Sequence, residues 1–190
     1  MKRHKITVTI IFALLAAACK KNSLINDPDI MEFEVNKTIL FVPGSPGLHM
    51  KADSIDINSD GKFDYWIQMY NFCCSPACDL VFKNSPASIN EVVTGTVVFK
   101  TPVTELPAGS FINNGKTFSK TGYITTVNPG VDSTRNVAAG DRYIGLRLYL
   151  EGQKHYGWIK VNLSADYRTF RILKGAYHKV SETTIKAGEI

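Results

Sequence analysis

Apolar and polar residues alternate one by one along much of this chain, and that period of two constrains its fold most strongly. Successive side chains of a β-strand point to opposite faces, so the alternation predicts strands with one buried face. No long stretch carries the 3.6-residue period of an amphipathic helix. The predicted strands, all alternating or rich in β-branched and aromatic residues, are 31–36, 63–70, 95–100, 122–127, 142–150, 155–163 and 167–180.

Turn-forming residues separate these stretches. Gly, Pro and Asn clusters favour tight turns because they supply positive or fixed φ angles. Many short strands joined by such turns indicate an all-β fold, an antiparallel, jelly-roll-like β-sandwich. Residues 142–163 predict a hairpin with its turn at 151–154. No internal period repeats, which argues against a propeller or solenoid, so we expect one sandwich domain at 31–190.

The N-terminus has the charge and hydropathy of a secretion signal. Residues 1–5 are rich in basic side chains, and residues 6–18 form a run of apolar and small residues. That run is shorter than the ~20 residues of a membrane-spanning helix. It fits the apolar core of a signal peptide that ends in small residues. We therefore expect residues 1–18 to be a cleaved signal.

The end of that run, Leu-Ala-Ala-Ala-Cys, resembles the lipobox of bacterial lipoproteins, with Ala16 where the usual pattern has Leu. The resemblance implies that Cys19 carries a diacylglyceryl group and anchors the chain to a membrane. Several acyl chains would make that anchoring stable. Residues 19–30 would then be the lipidated cysteine and a polar tether. The alternative is an ordinary secretion signal with an incidental cysteine.

The net charge argues against nucleic acid as a partner. The formal charge is +5, of which Lys2, Arg3 and Lys5 contribute three, so the mature chain carries about +2. Phosphate binding needs a clustered basic face, and no basic run follows residues 20–21. Residues 20–23 also lack the acidic residues that, in the lipoproteins they resemble, signal export to the outer face. This favours a periplasm-facing anchor in a bacterial cell envelope.

Residues 56–64, Asp-Ile-Asn-Ser-Asp-Gly-Lys-Phe-Asp, form an acidic loop. Crowded carboxylates repel one another unless a cation lies among them. Calcium loops place oxygen ligands at positions one, three and five, glycine at six, a backbone carbonyl at seven and a ligand at nine. Those positions are, in order, Asp56, Asn58, Asp60, Gly61, Lys62 and Asp64. The spacing therefore predicts a calcium site.

The acidic loop is not an EF-hand, because the bidentate glutamate would fall at Ile67 and the flanking segments read as strands. It resembles the D-x-N-x-D-G-x-x-D loops of integrin-type propeller repeats, although those occur in tandem. Water or the carboxylate of Asp53 would complete the shell. A single loop of this kind in an extracytoplasmic module is expected to bind Ca²⁺ with a Kd of about 10⁻⁴–10⁻³ M, which suits a structural ion. The alternative is a hairpin turn with solvated charges.

Three cysteines lie close together at Cys73, Cys74 and Cys78. The envelope is oxidising, so a disulfide is expected. Their spacing lacks the paired ligands of a structural zinc site, and no histidine lies nearby. We expect Cys78 to bond with Cys73 or Cys74, leaving one thiol. A vicinal Cys73–Cys74 bond is a strained alternative.

The segments YIGLRL, HYGWIKVNL, ILKGAYHK and IKAGE follow in order near the C-terminus. They resemble the C-terminal half of a group of secreted bacterial proteins, many of unknown role, that often carry an upstream D-x-N-x-D-G loop. The resemblance covers residues 53–189. It implies a fold and a cellular location rather than an activity. We expect Tyr156 and Trp158 to pack in the core, with Gly157 allowing a ring from the next strand to cross closely.

Two function classes fit this sequence. The first is a non-catalytic module that binds glycan or protein or supports an assembly, with Trp66 and Tyr70 as contact candidates because rings stack on sugar faces. The second is a jelly-roll glycan hydrolase or lyase, which needs two facing carboxylates. The acids outside the acidic loop are scattered, and neither G-x-S-x-G nor H-E-x-x-H occurs. The first class is therefore favoured.

Overall fold

The structure is a computed structural model that describes residues 27–40, 51–71, 78–96, 100–127 and 134–190. Every regular element in these ranges is a β-strand, and none of them contains a helix able to cross a membrane. The strands are β1 (Ile30–Leu40), β2 (Lys51–Ile55), β3 (Tyr65–Asn71), β4 (Cys78–Asn84), β5 (Glu91–Val93), β6 (Glu105–Leu106), β7 (Phe111–Ile112), β8 (Phe118–Ser119), β9 (Thr121–Val127), β10 (Thr134–Arg135), β11 (Gly140–Leu150), β12 (Gln153–Leu163), β13 (Thr169–His178) and β14 (Ile185–Lys186).

Two antiparallel sheets pack against each other. The first sheet runs β1-β13-β12-β11-β5-β8, with β6 also pairing with β11. The second sheet runs β10-β9-β4-β3-β2, and β14 pairs with β7 in a small separate ribbon. The predicted antiparallel β-sandwich is therefore confirmed.

The main core lies between the two sheets. The second sheet contributes Ile67, Leu80 and Phe82, and the first contributes Ile144 and Ile159, all fully buried. Each comes from a strand whose side chains alternate between the core and the opposite face. The alternation in the sequence thus reflects the packing of one sheet on the other.

A second core lies on the other face of the first sheet, beneath the β7–β14 ribbon. Tyr156 and Trp158 of β12 are 1% exposed there and pack with Ile112 and Ile185. The predicted packing role of these two aromatic residues is confirmed. The first sheet is therefore covered on both faces along β12.

Gly157 lies between these two aromatic residues, on the opposite face of β12. A Cβ at Gly157 would lie 2.7 Å from the carbonyl oxygen of Ala176 and 3.0 Å from the Cβ of Tyr177. Both neighbours belong to β13, which pairs with β12 in register at this point. The expected close approach of the next strand is present, and it involves backbone and Cβ atoms rather than a ring.

The β11–β12 hairpin turns more tightly than predicted. The connection is Glu151-Gly152 alone, with φ angles of 51° and 78°. Positive φ at both central residues is the requirement of a type I′ turn, which matches the right-handed twist of the strands. The hairpin itself is confirmed, and its tip points to the end of the sandwich where the acidic loop lies.

The first described residues, 27–30, lie close to the C-terminal residue of the chain. Ile30, in the segment expected to be a tether, begins β1, and its N–H donates to the carbonyl of Asp27 at 2.9 Å. The N–H of Asp27 lies 3.4 Å from the carbonyl oxygen of Ile190. The predicted signal peptide and Cys19 lie outside the described residues, so lipidation stays a prediction.

Candidate functional site

The acidic loop connects β2 to β3 in the second sheet. The strands separate after Ile55, and the N–H of Asp64 donates back to the carbonyl of Ile55 at 2.7 Å. Ser59 and Gly61 adopt positive φ angles of 59° and 82°. Two left-handed residues so close together bend the backbone sharply, and glycine takes that conformation at little cost. The backbone of the acidic loop therefore folds back on itself between the paired strands β2 and β3.

Side-chain oxygens in the acidic loop are directed at its own amides. The carboxylate of Asp56 accepts from the N–H of Asp60 at 3.3 Å and from that of Gly61 at 2.9 Å. The Oδ1 of Asn58 accepts from the same Asp60 N–H at 3.3 Å. Because they share one donor, the oxygens of Asp56 and Asn58 lie side by side within the bend.

Asp60 caps the second half of the loop. Its Oδ1 accepts from the N–H of Lys62 at 2.8 Å. This hydrogen bond, with a second from Asn58, lowers the pKa of the Asp60 carboxyl below its usual value. Asp60 is exposed and therefore carries a full negative charge at neutral pH.

Asp64 faces inward, unlike the other acids of the loop. It is 9% exposed, its Oδ2 accepts from the N–H of Ile57 at 2.8 Å, and its Oδ1 accepts from the Nδ2 of Asn90 at 2.9 Å. Burial raises the pKa of Asp64, the two hydrogen bonds oppose that rise, and the charges of Asp56 and Asp60 add to it. Negative charge is thus concentrated at the base of the loop.

The oxygen set fits calcium in part. Each side-chain oxygen of Asp56, Asn58 and Asp60 retains a second lone pair beside the hydrogen bond it accepts. Oxygen-only donors suit Ca²⁺ rather than zinc. Across the described residues, no three His, Cys, Asp or Glu side chains are grouped as a metal site. Asp64 differs from the other acids of the loop in facing inward, where each of its oxygens accepts one hydrogen bond beneath the loop.

An aromatic groove lies beside the acidic loop, on the outer face of the second sheet. Its volume is about 230 Å³. Phe63 is 52% exposed, and Trp66 points away from the core that holds its neighbours Tyr65 and Ile67. The groove is lined by Ala52, Asp53, Ser54, Phe63 and Trp66. The structure therefore places Trp66, one of the two predicted contact residues, in a concavity.

Charged side chains flank the aromatic groove. The Nζ of Lys83 lies 5.7 Å from the centroid of the Trp66 ring, within reach of a cation–π contact. The carboxylate of Asp53 pairs with Lys37 and accepts from the N–H of Ser54 at 2.8 Å. The groove thus combines an aromatic surface with a polar rim.

Several predicted residues lie outside the described part of the structure. Cys73 and Cys74 belong to the segment that is not described. Cys78 begins β4 and Tyr70 lies in β3, but only their backbones are described. The disulfide and the contact role of Tyr70 therefore stay predictions.

Two residues of the site were not identified from the sequence. Asn90 is 1% exposed, and its Oδ1 accepts from the N–H of Tyr149 at 2.7 Å while its Nδ2 holds Asp64. Asn90 thus connects the acidic loop to the first sheet, through partners 26 and 59 residues away in sequence. No local sequence pattern predicts contacts at such separations. Phe63 reads as a core position in the alternation, although in the structure it is exposed.

Comparison of the chain with protein-family models, with curated proteins and with solved structures found no match. The function is therefore inferred from the chemistry of the acidic loop and the aromatic groove. Asp64 has a raised pKa, but it is buried and hydrogen-bonded, whereas the exposed Asp60 has a lowered pKa. A glycosidase pair needs an acid with a raised pKa facing the substrate. Asp64 does not meet this requirement.

Proposed function

We propose that this chain is a calcium-braced, non-catalytic module of the bacterial cell envelope, anchored through Cys19, that binds glycan in the aromatic groove. One observation carries the proposal: the acidic loop is continuous with the groove. Phe63 belongs to the loop, and Trp66 follows it at the start of β3. An ion that orders the loop would therefore also fix the position of an exposed ring.

The groove has the two surfaces that a sugar requires. The rings of Phe63 and Trp66 offer apolar area with few conformational degrees of freedom. The carboxylate of Asp53 and the hydroxyl of Ser54 lie beside them and accept hydrogen bonds from sugar hydroxyl groups. A pyranose presents one face of C–H groups and an edge of hydroxyl groups, which matches this arrangement.

The charge of the acidic loop supports the calcium ion. Asp56 and Asp60 each raise the pKa of Asp64, so their negative charges act on the carboxyl of Asp64. A divalent cation would offset that repulsion. Ca²⁺ takes six to eight oxygens, and Asp56, Asn58, Asp60 and the carbonyl of Lys62 would supply part of this shell, with water supplying the rest.

Calcium is expected to raise the thermal midpoint of the mature chain by about 3–10 °C at ~10 mM Ca²⁺ relative to EDTA. The reason is mass action, since the folded loop binds the ion and the unfolded chain does not. Asp60→Ala is expected to abolish the rise, as measured by differential scanning fluorimetry.

Asp166→Ala is the matched control for this measurement. Asp166 is likewise exposed and accepts from the N–H two residues later, at Arg168, in a turn distant in sequence from the acidic loop. It should keep the full calcium response. An identical midpoint in EDTA and calcium for the unmodified chain would refute the calcium component.

Trp66→Ala is expected to weaken glycan binding by about tenfold or more, because the variant loses one of the two rings on which a sugar would stack. Binding is measured on a glycan array and then by calorimetry with the best-bound glycan. Phe111→Ala is the control, since Phe111 is 57% exposed on β7, away from the groove. Equal losses in both variants would contradict a specific role of the groove.

A further inference from the structure

A larger concavity, the polar cleft, lies on the inner side of the acidic loop. Its volume is about 520 Å³, against about 230 Å³ for the aromatic groove. The acidic loop forms one wall with Asn58 and Asp60. The first sheet forms the rest, through the tip of the β11–β12 hairpin at Glu151 and through His155 and Tyr177. Three segments far apart in sequence therefore converge on one opening.

His155 brings an unpaired acceptor to the polar cleft. Its Nδ1 lies 3.0 Å from the backbone carbonyl oxygen of His178, and a carbonyl can only accept. The neutral ring therefore carries its proton on Nδ1, which leaves Nε2 with a free lone pair. The side chain is 8% exposed, and Nε2 has no partner among the described residues. The buried polar atoms that lack a partner in the described residues do not include Nε2, so the nitrogen is open to the cleft and a ligand hydroxyl group or water can donate to it.

Tyr177 brings an unpaired hydroxyl to the same cleft. It is 8% exposed, its ring meets that of His155 edge-on with centroids 6.2 Å apart, and its hydroxyl has no partner within the described ranges. Burial raises the pKa of Tyr177, and the charge of Asp64 adds to the rise. The phenol therefore stays protonated and can donate a hydrogen bond.

Charged groups at the rim add both donors and acceptors. Lys179 lines the cleft and forms no ion pair with any described residue. Asp60 and Glu151 line it as carboxylates. A ligand that satisfies all of these groups needs several hydroxyl groups, each able to donate and accept, spread over a molecule of several hundred Å³.

A peptide fits this cleft less well than a sugar. His155 and Tyr177 lie on β12 and β13, and each of these strands already pairs on both edges. Neither β12 nor β13 therefore has a free edge with which an extended peptide in the cleft could pair. The lining residues are mostly polar, so the cleft also lacks an apolar pocket for a peptide side chain.

We propose that the polar cleft is a second saccharide site, which binds a neutral oligosaccharide through the Nε2 of His155, the hydroxyl of Tyr177 and the ammonium of Lys179. This inference rests on the proposed glycan-binding function and adds to it a site on the other side of the acidic loop. The hydroxyl groups of the sugar donate to His155 and Asp60 and accept from Tyr177 and Lys179.

The test is calorimetric titration of the mature chain, in calcium buffer, with β-linked tetramers of glucose and of N-acetylglucosamine. We expect Tyr177→Phe and His155→Gln each to weaken binding of the better tetramer by about tenfold, at an unchanged thermal midpoint. Tyr123→Phe is the control, because Tyr123 lies in β9 and does not line the cleft.

The outcomes separate the two proposals. Loss of binding in Tyr177→Phe and His155→Gln, with binding retained in Trp66→Ala, supports the cleft. Loss in Trp66→Ala alone, with both cleft variants unchanged, overturns the cleft and leaves the proposed function standing. Absence of binding by the unmodified chain, both to the tetramers and on the glycan array, overturns both.

Discussion

Replacing Trp158 with alanine is expected to lower the free energy of unfolding by about 3–5 kcal/mol. The indole is 1% exposed and fills the second core beneath the β7–β14 ribbon. Its ring meets Tyr143 edge-on with centroids 5.3 Å apart, and its Nε1 donates to the carbonyl of Glu189 at 3.1 Å. Truncation would leave a large cavity and remove the hydrogen bond that holds the C-terminal segment. Urea denaturation followed by circular dichroism measures the loss.

Trp66→Ala is the matched control for this prediction. Trp66 is partly exposed in the aromatic groove, so its removal is expected to cost less than about 1 kcal/mol. The two tryptophans thus separate stability from binding: replacing Trp158 lowers the free energy of unfolding, and replacing Trp66 removes an aromatic surface of the groove. A similar loss of stability in both variants would contradict the packing of Trp158.

The strands were predictable wherever the alternation was long. The β11–β12 hairpin and the burial of Tyr156 and Trp158 follow from local patterns, because each strand face repeats every second residue. Short strands such as β6, β7 and β8 span two residues each. They exist only because a distant strand pairs with them, so no local pattern could reveal them.

Alternation also fails where a loop meets a strand. Phe63 is in phase with Tyr65, Ile67 and Met69, and by pattern alone it belongs to the core. In the structure β3 begins at Tyr65, and Phe63 is 52% exposed. The period fixes which face a strand residue occupies, but it does not fix the residue at which pairing begins. That single difference places Phe63, which is in phase with the core positions of β3, in the aromatic groove.

The sequence predicted the spacing of the candidate ligands in the acidic loop, but not the direction in which each side chain points. The ligand pattern identified Asp56, Asn58 and Asp60, which the structure places within one bend. Asp64 occupies the expected position, but its carboxylate faces Asn90, a partner 26 residues away. The polar cleft depends still more on tertiary packing, because its walls come from the acidic loop and from distant segments at the end of the first sheet.

Replacing Asp64 with alanine is expected to lower the free energy of unfolding by about 2–4 kcal/mol in EDTA. The carboxylate is the acceptor for two donors, the N–H of Ile57 and the Nδ2 of Asn90. Both lie in buried surroundings, so removing their acceptor leaves them without partners. Asp60→Ala, which changes an exposed carboxylate of the same loop, should leave stability in EDTA nearly unchanged. Equal effects of the two substitutions would contradict the buried role of Asp64.

The pH dependence of stability gives an independent test of Asp64. Its folded pKa is raised, chiefly by burial, above the ordinary value of 3.8. The part of stability that comes from protonating Asp64 is therefore fully present below pH 3.8 and is lost as pH rises through the folded pKa, whereas the hydrogen bonds that its carboxylate accepts remain. Asp60, Asp141 and Asp166 have lowered pKa values, so their contributions are lost only as pH falls below 3.8. Asp64→Asn should thus flatten the decline in stability that follows as pH rises above 3.8 in urea titrations, and an unchanged slope would show that Asp64 is not the titrating group.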